Sequence, residues 1–499
     1  MHEYCVKILK NPCTQVMTMY KFQSKDTSFI DFNQPLGLEM DPNNRWVQKA
    51  ALIPWDDIEQ KYAKQFLGFK GKVAKPARLA IGALLIQMEY GYSDAETVEQ
   101  IQENPYLQYF CGLTGYAYRK PFNACAMTRF RKRFSAEQLA EINEAVIQEA
   151  IKRAEERKTA DSHKDDSHKP DPPSGSGNLG TLIVDATCAP SQIKYPRDME
   201  LLNEGREKLE KIIDHLHDPK TDGKKPRTYR HRARKQYLNI ARCKKNSARK
   251  LQKGIRQQLQ YIRRDEGIIQ TYLSKGKHLE PKVIEQLQII HEMCEQQKYM
   301  YEHHTHTVPN RIVNLRQPYL RPIVRGKAKN PVEFGAKLDI SVVDGMVRLE
   351  QQSFEAYNES ELLITEIKRY HARYGHYPER VLADKIYRNR KNLAYCKTLG
   401  IRLSGPALGR PKKDAVIDKK TEYKDSCDRV EVERAFSLAK RKFGLMQIRT
   451  YLKETTQAVI ALAILALNLS QIQCAQILNL FTNFILNLVY NENLAVDNF

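Results

Sequence analysis

Apolar positions along this chain follow three kinds of spacing. From Pro76, the residues Leu79, Ile81, Leu84, Leu85 and Met88 recur at helical steps, and Gly91 closes the run. Ser93, with Glu96 three residues on, has the form of a capping box that opens a second helix. Pro105 to Gly112 predicts a short third helix. Ser135 and Gln138 open a fourth, carrying Leu139, Ile142, Val146 and Ile151. Trp46 to Phe69 holds further helical patches. Helical spacing returns in Asp198 to His217, in Leu251, Ile255, Leu259 and Ile262, and in Ile284, Leu287, His291 and Cys294.

The second kind is the short apolar run. Thr181-Leu-Ile-Val-Asp185 follows a Pro-, Ser- and Gly-rich stretch and predicts a buried strand that delivers Asp185 at its C-terminal end. Glu333 to Val343 and Met346 to Gln352 bracket Asp344-Gly345, a two-residue hairpin signal. A helix from Ser360 to Tyr374 leads to a second short strand, Arg380 to Asp384, again ending in a carboxylate. Ile401 to Ser404 reads as a last strand, and Arg429 to Gly444 as a late helix. The third kind is Ala458 to Leu469, continuously apolar but short, with Gln471, Gln473 and Gln476 after it. That predicts a buried core helix and not a membrane span.

The alternation of strands and helices predicts an α/β core with a mixed sheet. At 499 residues, 41% of them apolar, the chain exceeds one simple core. The segments read as a helical N-terminal domain (1–157), a polar linker (158–180), the first part of the core (181–197), a helical insertion (198–310), the second part of the core (311–453) and C-terminal helices (454–499). His163 and His168 lie in the linker, where no fixed ligand geometry is expected. His303, His304 and His306 read as a polar loop.

Charge narrows the picture. A net +22 and a pI near 9.4 favour a polyanionic partner, nucleic acid before membrane. Between Lys220 and Arg264 there are 17 Lys or Arg residues, Lys244 and Lys245 among them, against one acid, Asp222. Such a run suits phosphate neutralisation. Tyr229, Tyr237 and Tyr261 within it can pack against sugars, bases or the core. Arg129, Arg131, Lys132 and Arg133 lie among the short N-terminal helices. A helix-turn-helix type module and a plain bundle with a solvated basic turn fit that pattern equally. Ten scattered cysteines argue against a zinc ribbon or disulfide framework. With no apolar run in Met1 to Tyr20, they suggest a reducing cytoplasm.

Asp185 and Asp384 each close a strand, and Glu433 sits on the late helix. Carboxylates gathered in one place repel unless divalent cations lie among them, and Mg²⁺ takes oxygen ligands. The alternatives are a simple pairing of Glu433 with a neighbouring Arg on its helix and a capping role for Asp384 at the next helix. The two Asp strands, Tyr387 and Asn392 after the second, and Arg429-x₃-Glu433-x₆-Lys440 resemble the three blocks of a DDE transposase. The closest likeness is to bacterial insertion-sequence transposases of the insertion-sequence-four and -five type. Arg325-Gly-Lys-Ala-x-x-Pro-Val-Glu-Phe-Gly-Ala-Lys337 is similar to a stretch those proteins carry between the two Asp residues.

The resemblance spans roughly residues 45 to 470 and implies a ribonuclease-H-like core with a helical N-terminal DNA-binding domain. By it, Asp185, Asp384 and Glu433 hold Mg²⁺, or Mn²⁺, and Arg429 and Lys440 contact DNA phosphate. It implies cleavage and strand transfer on double-stranded DNA, element ends and target, by a homodimer on paired ends. It does not fix the role of the basic insertion, whose charge alone suggests a non-specific grip on DNA. One departure is Ser426, where relatives often carry Tyr. The other readings are a nuclease without strand transfer and a DNA-binding protein that has lost catalysis.

Overall fold

The computed structural model describes residues 40–66, 73–162, 177–324, 332–406, 408–409 and 419–496, with side chains placed up to 475 except for 157–162. Among the described residues the first helices are α1 (Arg45–Leu52), α2 (Trp55–Ala63), α3 (Ala77–Tyr90), α4 (Asp94–Glu103), α5 (Pro105–Phe110), α6 (Cys125–Arg133) and α7 (Ala136–Ser162). The α4 capping box forms as its residues dictate. Ser93 Oγ accepts from Glu96 N at 3.2 Å, and Ser93 N donates to the Glu96 carboxylate at 2.7 Å. Gly91 ends α3 at φ 70°, in the left-handed region that suits glycine. The basic turn expected at 129–133 is instead the end of α6. Ala126, Met127 and Phe130 are buried at helical spacing, a signal masked by the cations between them.

The sheet is built from β1 (Thr181–Pro190), β2 (Arg321–Val324), β3 (Val332–Val343), β4 (Met346–Ser353), β5 (Arg380–Leu382) and β6 (Arg402–Leu403). β1 pairs antiparallel with β3 and parallel with β5, and β5 pairs parallel with β6. β4 and β2 pair antiparallel with β3. Asp344 and Gly345 turn β3 into β4 with φ of 49° and 78°, the primed turn that a two-residue hairpin needs. Gly335 lies where β3 presses on β1, and a Cβ there would collide with the Ala189 carbonyl oxygen.

Several boundaries differ from expectation. β1 runs five residues past Asp185, because Ala186 to Pro190 pair with Gly335 to Asp339. These small residues carry little strand signal. Asp384 lies beyond β5. β2 was not foreseen, α7 enters the expected linker as far as Ser162, and the expected C-terminal helices are one, α15 (Lys453–Val496). His163, His168, the 325–331 part of the quoted stretch and the basic residues 410–413 lie outside the described residues.

Helices α12 (Leu363–Tyr374) and α13 (Arg390–Thr398) cover one sheet face, burying Leu182, Val184, Val381, Ile367 and Tyr370. On the other, α14 (Lys419–Arg441) and α15 pack with the N-terminal helices in one continuous apolar core. Lys453–Ala475 of α15 is long and apolar enough to cross a membrane, yet 72% of its 18-residue apolar stretch is buried here. Its Asn468 satisfies both backbone groups of Val347 on the β4 edge and also donates to Asn143 of α7. Buried Lys49 of α1 holds Glu89 of α3, which also receives Lys442, just after α14.

Between β1 and β2 the insertion folds as α8 (Asp198–Leu216), α9 (Arg230–Ala241), α10 (Ala248–Ser274) and α11 (Pro281–Glu302), around an apolar cluster of its own that includes Leu202, Leu209, Ile269 and Ile290.

Candidate active site

Strand alternation turns Ile183, Asp185 and Thr187 of β1 toward α14. The last parallel pair of β1 and β5 is Ile183 with Leu382, so Asp185 and Asp384 each lie two residues further, level with one another. Asp185 is half-buried and accepts from Ala186 N at 2.8 Å. Burial pushes its carboxyl up to about 6. The Ala186 N–H and Arg429 pull it back, and the negative charges of Asp384 and Glu359 push it further up. Asp384 is exposed, and one of its oxygens accepts from Lys385 N at 2.6 Å, capping a short 3₁₀ turn at Lys385–Tyr387.

That turn is anchored from behind. Tyr387 is buried and donates to Asp339 Oδ1 at 3.4 Å, while Asn392 Nδ2 donates to the Tyr387 carbonyl at 2.8 Å. Asp339 of β3 and Glu366 of α12 form a buried acid pair. Burial pushes the Asp339 carboxyl up to about 7, and burial with the neighbouring Asp339 charge holds Glu366 protonated well above the usual range. Lys337, at the end of the quoted 325–337 stretch, pairs with Glu359 at 2.8 Å.

Val432, Ala435 and Ala439 seat α14 on the sheet. Arg429, Glu433 and Lys440 lie along one flank of that seat. Lys440 Nζ donates to Thr187 Oγ1 at 2.8 Å. Glu433 is exposed and pairs with Arg429 at 3.5 Å, and so is turned to its own helix and not to Asp185. Among the described residues no three His, Cys, Asp or Glu side chains sit close enough to hold a metal ion. Asp185 and Asp384 fit a divalent cation, since both supply oxygen and the Asp384 charge helps push the Asp185 carboxyl up. Glu433 fits only after its side chain leaves Arg429.

The remaining candidates lie elsewhere. Arg131 of α6 is held by Asp94 and Gln87, and Arg133 donates to Tyr62 at 3.0 Å, so both turn inward. Arg129 and Lys132 stay exposed. Lys244 and Lys245 are exposed in the α9–α10 connection. Tyr261 donates to Gln236, Arg264 covers the exposed Tyr229 ring, and Tyr237 is half-buried. His303 stacks on Tyr299. Sequence reasoning missed the roles of Thr187 and Glu359. A threonine on a strand gives no signal alone, though alternation from Asp185 would have placed Thr187 on the same face.

Residues 381–470 match the transposase DDE domain, and residues 36–133 match a second transposase domain, of the family DUF772. The chain is 31% identical over 173 residues to an uncharacterized protein, ORF8 in the nfe locus of Rhizobium meliloti. That similarity covers 34% of this chain and 73% of the relative. No solved structure matches the chain.

Proposed function

This chain belongs to the insertion-sequence transposases, and we propose that it binds the ends of a mobile DNA element, cuts them and joins them to target DNA. The observation that carries this reading is the level placement of Asp185, within β1, and Asp384, just beyond its parallel neighbour β5, with Arg429 and Lys440 of α14 beside them. The strand order, with β1 between an antiparallel and a parallel wing, supports a ribonuclease-H-like core. The reaction is in-line displacement at phosphorus. Water adds to the phosphodiester as the 3′ oxygen leaves and takes up a proton. That freed 3′-OH then attacks a phosphodiester of the target, losing its proton as the target's own 3′ oxygen leaves as a hydroxyl.

Asp185, Asp384 and a rotated Glu433 would hold Mg²⁺ or Mn²⁺, which when bound polarises the phosphate and lowers the pKa of its water. Lys440 and Arg429 bind the non-bridging oxygens and neutralise the charge that grows there. Thr187 aims the Lys440 ammonium along β1. Glu433, by leaving Arg429, frees that guanidinium for phosphate. The N-terminal helices, with Arg129 and Lys132 outward, supply recognition of the ends. Work on paired ends by a homodimer in the cytoplasm, at the nucleoid, completes the reading.

A second reading, a DNA-binding descendant without catalysis, draws on the Glu433–Arg429 pair and on the capping role of Asp384. The separating experiment incubates purified protein, with Mg²⁺ and with EDTA, on labelled DNA carrying the sequences that flank its gene. A metal-dependent nick at the boundary, lost in Asp185→Ala, supports the transposase. Binding with no cut under Mg²⁺ or Mn²⁺ supports the second reading. Joined products with a target plasmid distinguish strand transfer from simple hydrolysis.

A further inference from the structure

The insertion's cations are sorted into two groups. Lys225 and Arg230 share Asp214, and Arg206 is buried against Glu210. Lys208 and Lys277 are likewise held, by Glu204 and Asp222, while the cations on the outer sides of α9 and α10 face water. Along α10, Gly254, Gln258, Ile262, Asp265 and Ile269 point inward. Arg249, Lys253, Arg256 and Arg263, at steps of four, three and seven, line the opposite side, and all four are exposed. On α9, Ala233 and Ile240 are buried while Arg232, Lys235 and Arg242 are exposed. Lys244 and Lys245 lie in the connection between the two helices. Among the described residues none of these nine cations has a carboxylate partner. Elsewhere in the chain, Arg348, Arg369, Arg373, Arg380 and Arg402 are all paired.

Unpaired like charges on adjoining helices repel, a cost that a bound polyanion removes. We propose that the outer face of α9 and α10 is a sequence-independent grip on the sugar-phosphate backbone of duplex DNA, separate from the N-terminal helices and from the catalytic residues. It rests on the transposase reading for the choice of DNA as the polyanion. The α10 stripe is straight and spans roughly 21 Å at 1.5 Å per residue. Duplex DNA offers a charge about every 1.7 Å of axis, so four or more phosphates lie within reach of one helix. The insertion has its own apolar core and starts eight residues after the end of β1, the strand of Asp185, so the grip is carried on a firm body joined to the catalytic sheet by a short connection.

The test uses the full chain and a labelled duplex of scrambled sequence, with affinity followed across salt. Each phosphate contact steepens the plot of log K against log salt by about 0.9. The variant Arg249→Gln/Lys253→Gln/Arg256→Gln/Arg263→Gln is expected to flatten the slope by about three to four, with melting temperature unchanged or raised. The variant Arg232→Gln/Lys235→Gln/Arg242→Gln supplies an independent second arm, with a loss of about two to three. Unchanged slopes in both variants overturn the proposal. So does a slope change seen only on duplex RNA of the same sequence. Flattened slopes in the variants, beside a wild-type protein that binds but never cuts, would leave the grip standing and sink the catalytic reading. Cutting at the element boundary with unaltered slopes in the variants would do the reverse.

Discussion

Lys440 of α14 donates to Thr187 Oγ1 on β1, at 2.8 Å and two residues along the strand from Asp185. The contact holds a positive charge beside the carboxylate end of the sheet, where a phosphate would need it.

Lys440→Gln should therefore cut poorly and fold well. Loss of one preorganised donor to a developing charge typically costs about 10² to 10³ in rate. Single-turnover cleavage of an end-sequence duplex is the readout. A variant that cut at wild-type rate would remove Lys440 from the phosphate site.

Much of this site could be read from the sequence, and the reasons are local. The Asp185 strand, the Asp384 strand and α14 each have a pattern that survives without tertiary context. Apolar runs mark both strands, and helical spacing aligns Arg429, Glu433 and Lys440. What could not be read depends on pairing between distant segments. Nothing near Ala186 announces that Gly335 to Asp339 will extend β1, and β2 is four residues long. Side-chain direction was equally hidden. Arg131 and Arg133 belong to a basic cluster in sequence, but Asp94, Gln87 and Tyr62 turn them inward. The Glu433–Arg429 pair was foreseen as an alternative, and only the structure shows that the two side chains take it.

Asp185→Asn should stabilise the protein while abolishing cleavage. The Asp185 carboxyl is raised to about 6, so the folded state holds a proton that the unfolded chain gives up above about 4. Stability contributed there is lost as pH rises through that window. An uncharged amide removes the penalty, and substitutions of this class commonly add about 0.5–2 kcal/mol. Thermal melts at pH 8 in EDTA measure it. A lower melting temperature would contradict the strain assigned to this carboxylate.

The Asp339–Glu366 pair makes a second pH signature. Both groups are raised, Asp339 to about 7, so the pair keeps a shared proton in the folded state. Stability should fall as pH climbs from the ordinary carboxylate range through about 7. Glu366→Gln offers Asp339 an N–H donor that does not titrate. The drop in melting temperature between pH 5 and pH 8 should be smaller in that variant. An equal drop would mean the pair does not share a proton.

Gly335→Ala tests the close approach of β3 to β1. A methyl group there meets the Ala189 carbonyl, backbone that cannot swing aside. Overpacking of this kind costs about 1–3 kcal/mol. Urea denaturation should show the loss, and end-cleavage should fall with it because the tail of β1 also carries Thr187. A neutral substitution would show that the two strands can part at this point without cost.

The N-terminal helices and α15 share one core, although roughly 300 residues of chain separate them. An earlier part of the chain is therefore finished by one synthesised roughly 300 residues later. On the ribosome, α1, α3 and α7 must wait with their apolar sides uncovered until α15 emerges, and the β4 edge waits for Asn468. A gene shortened from its 3′ end would leave those surfaces permanently bare. A chain cut short before α15 should accordingly yield aggregate, and not a soluble N-terminal fragment.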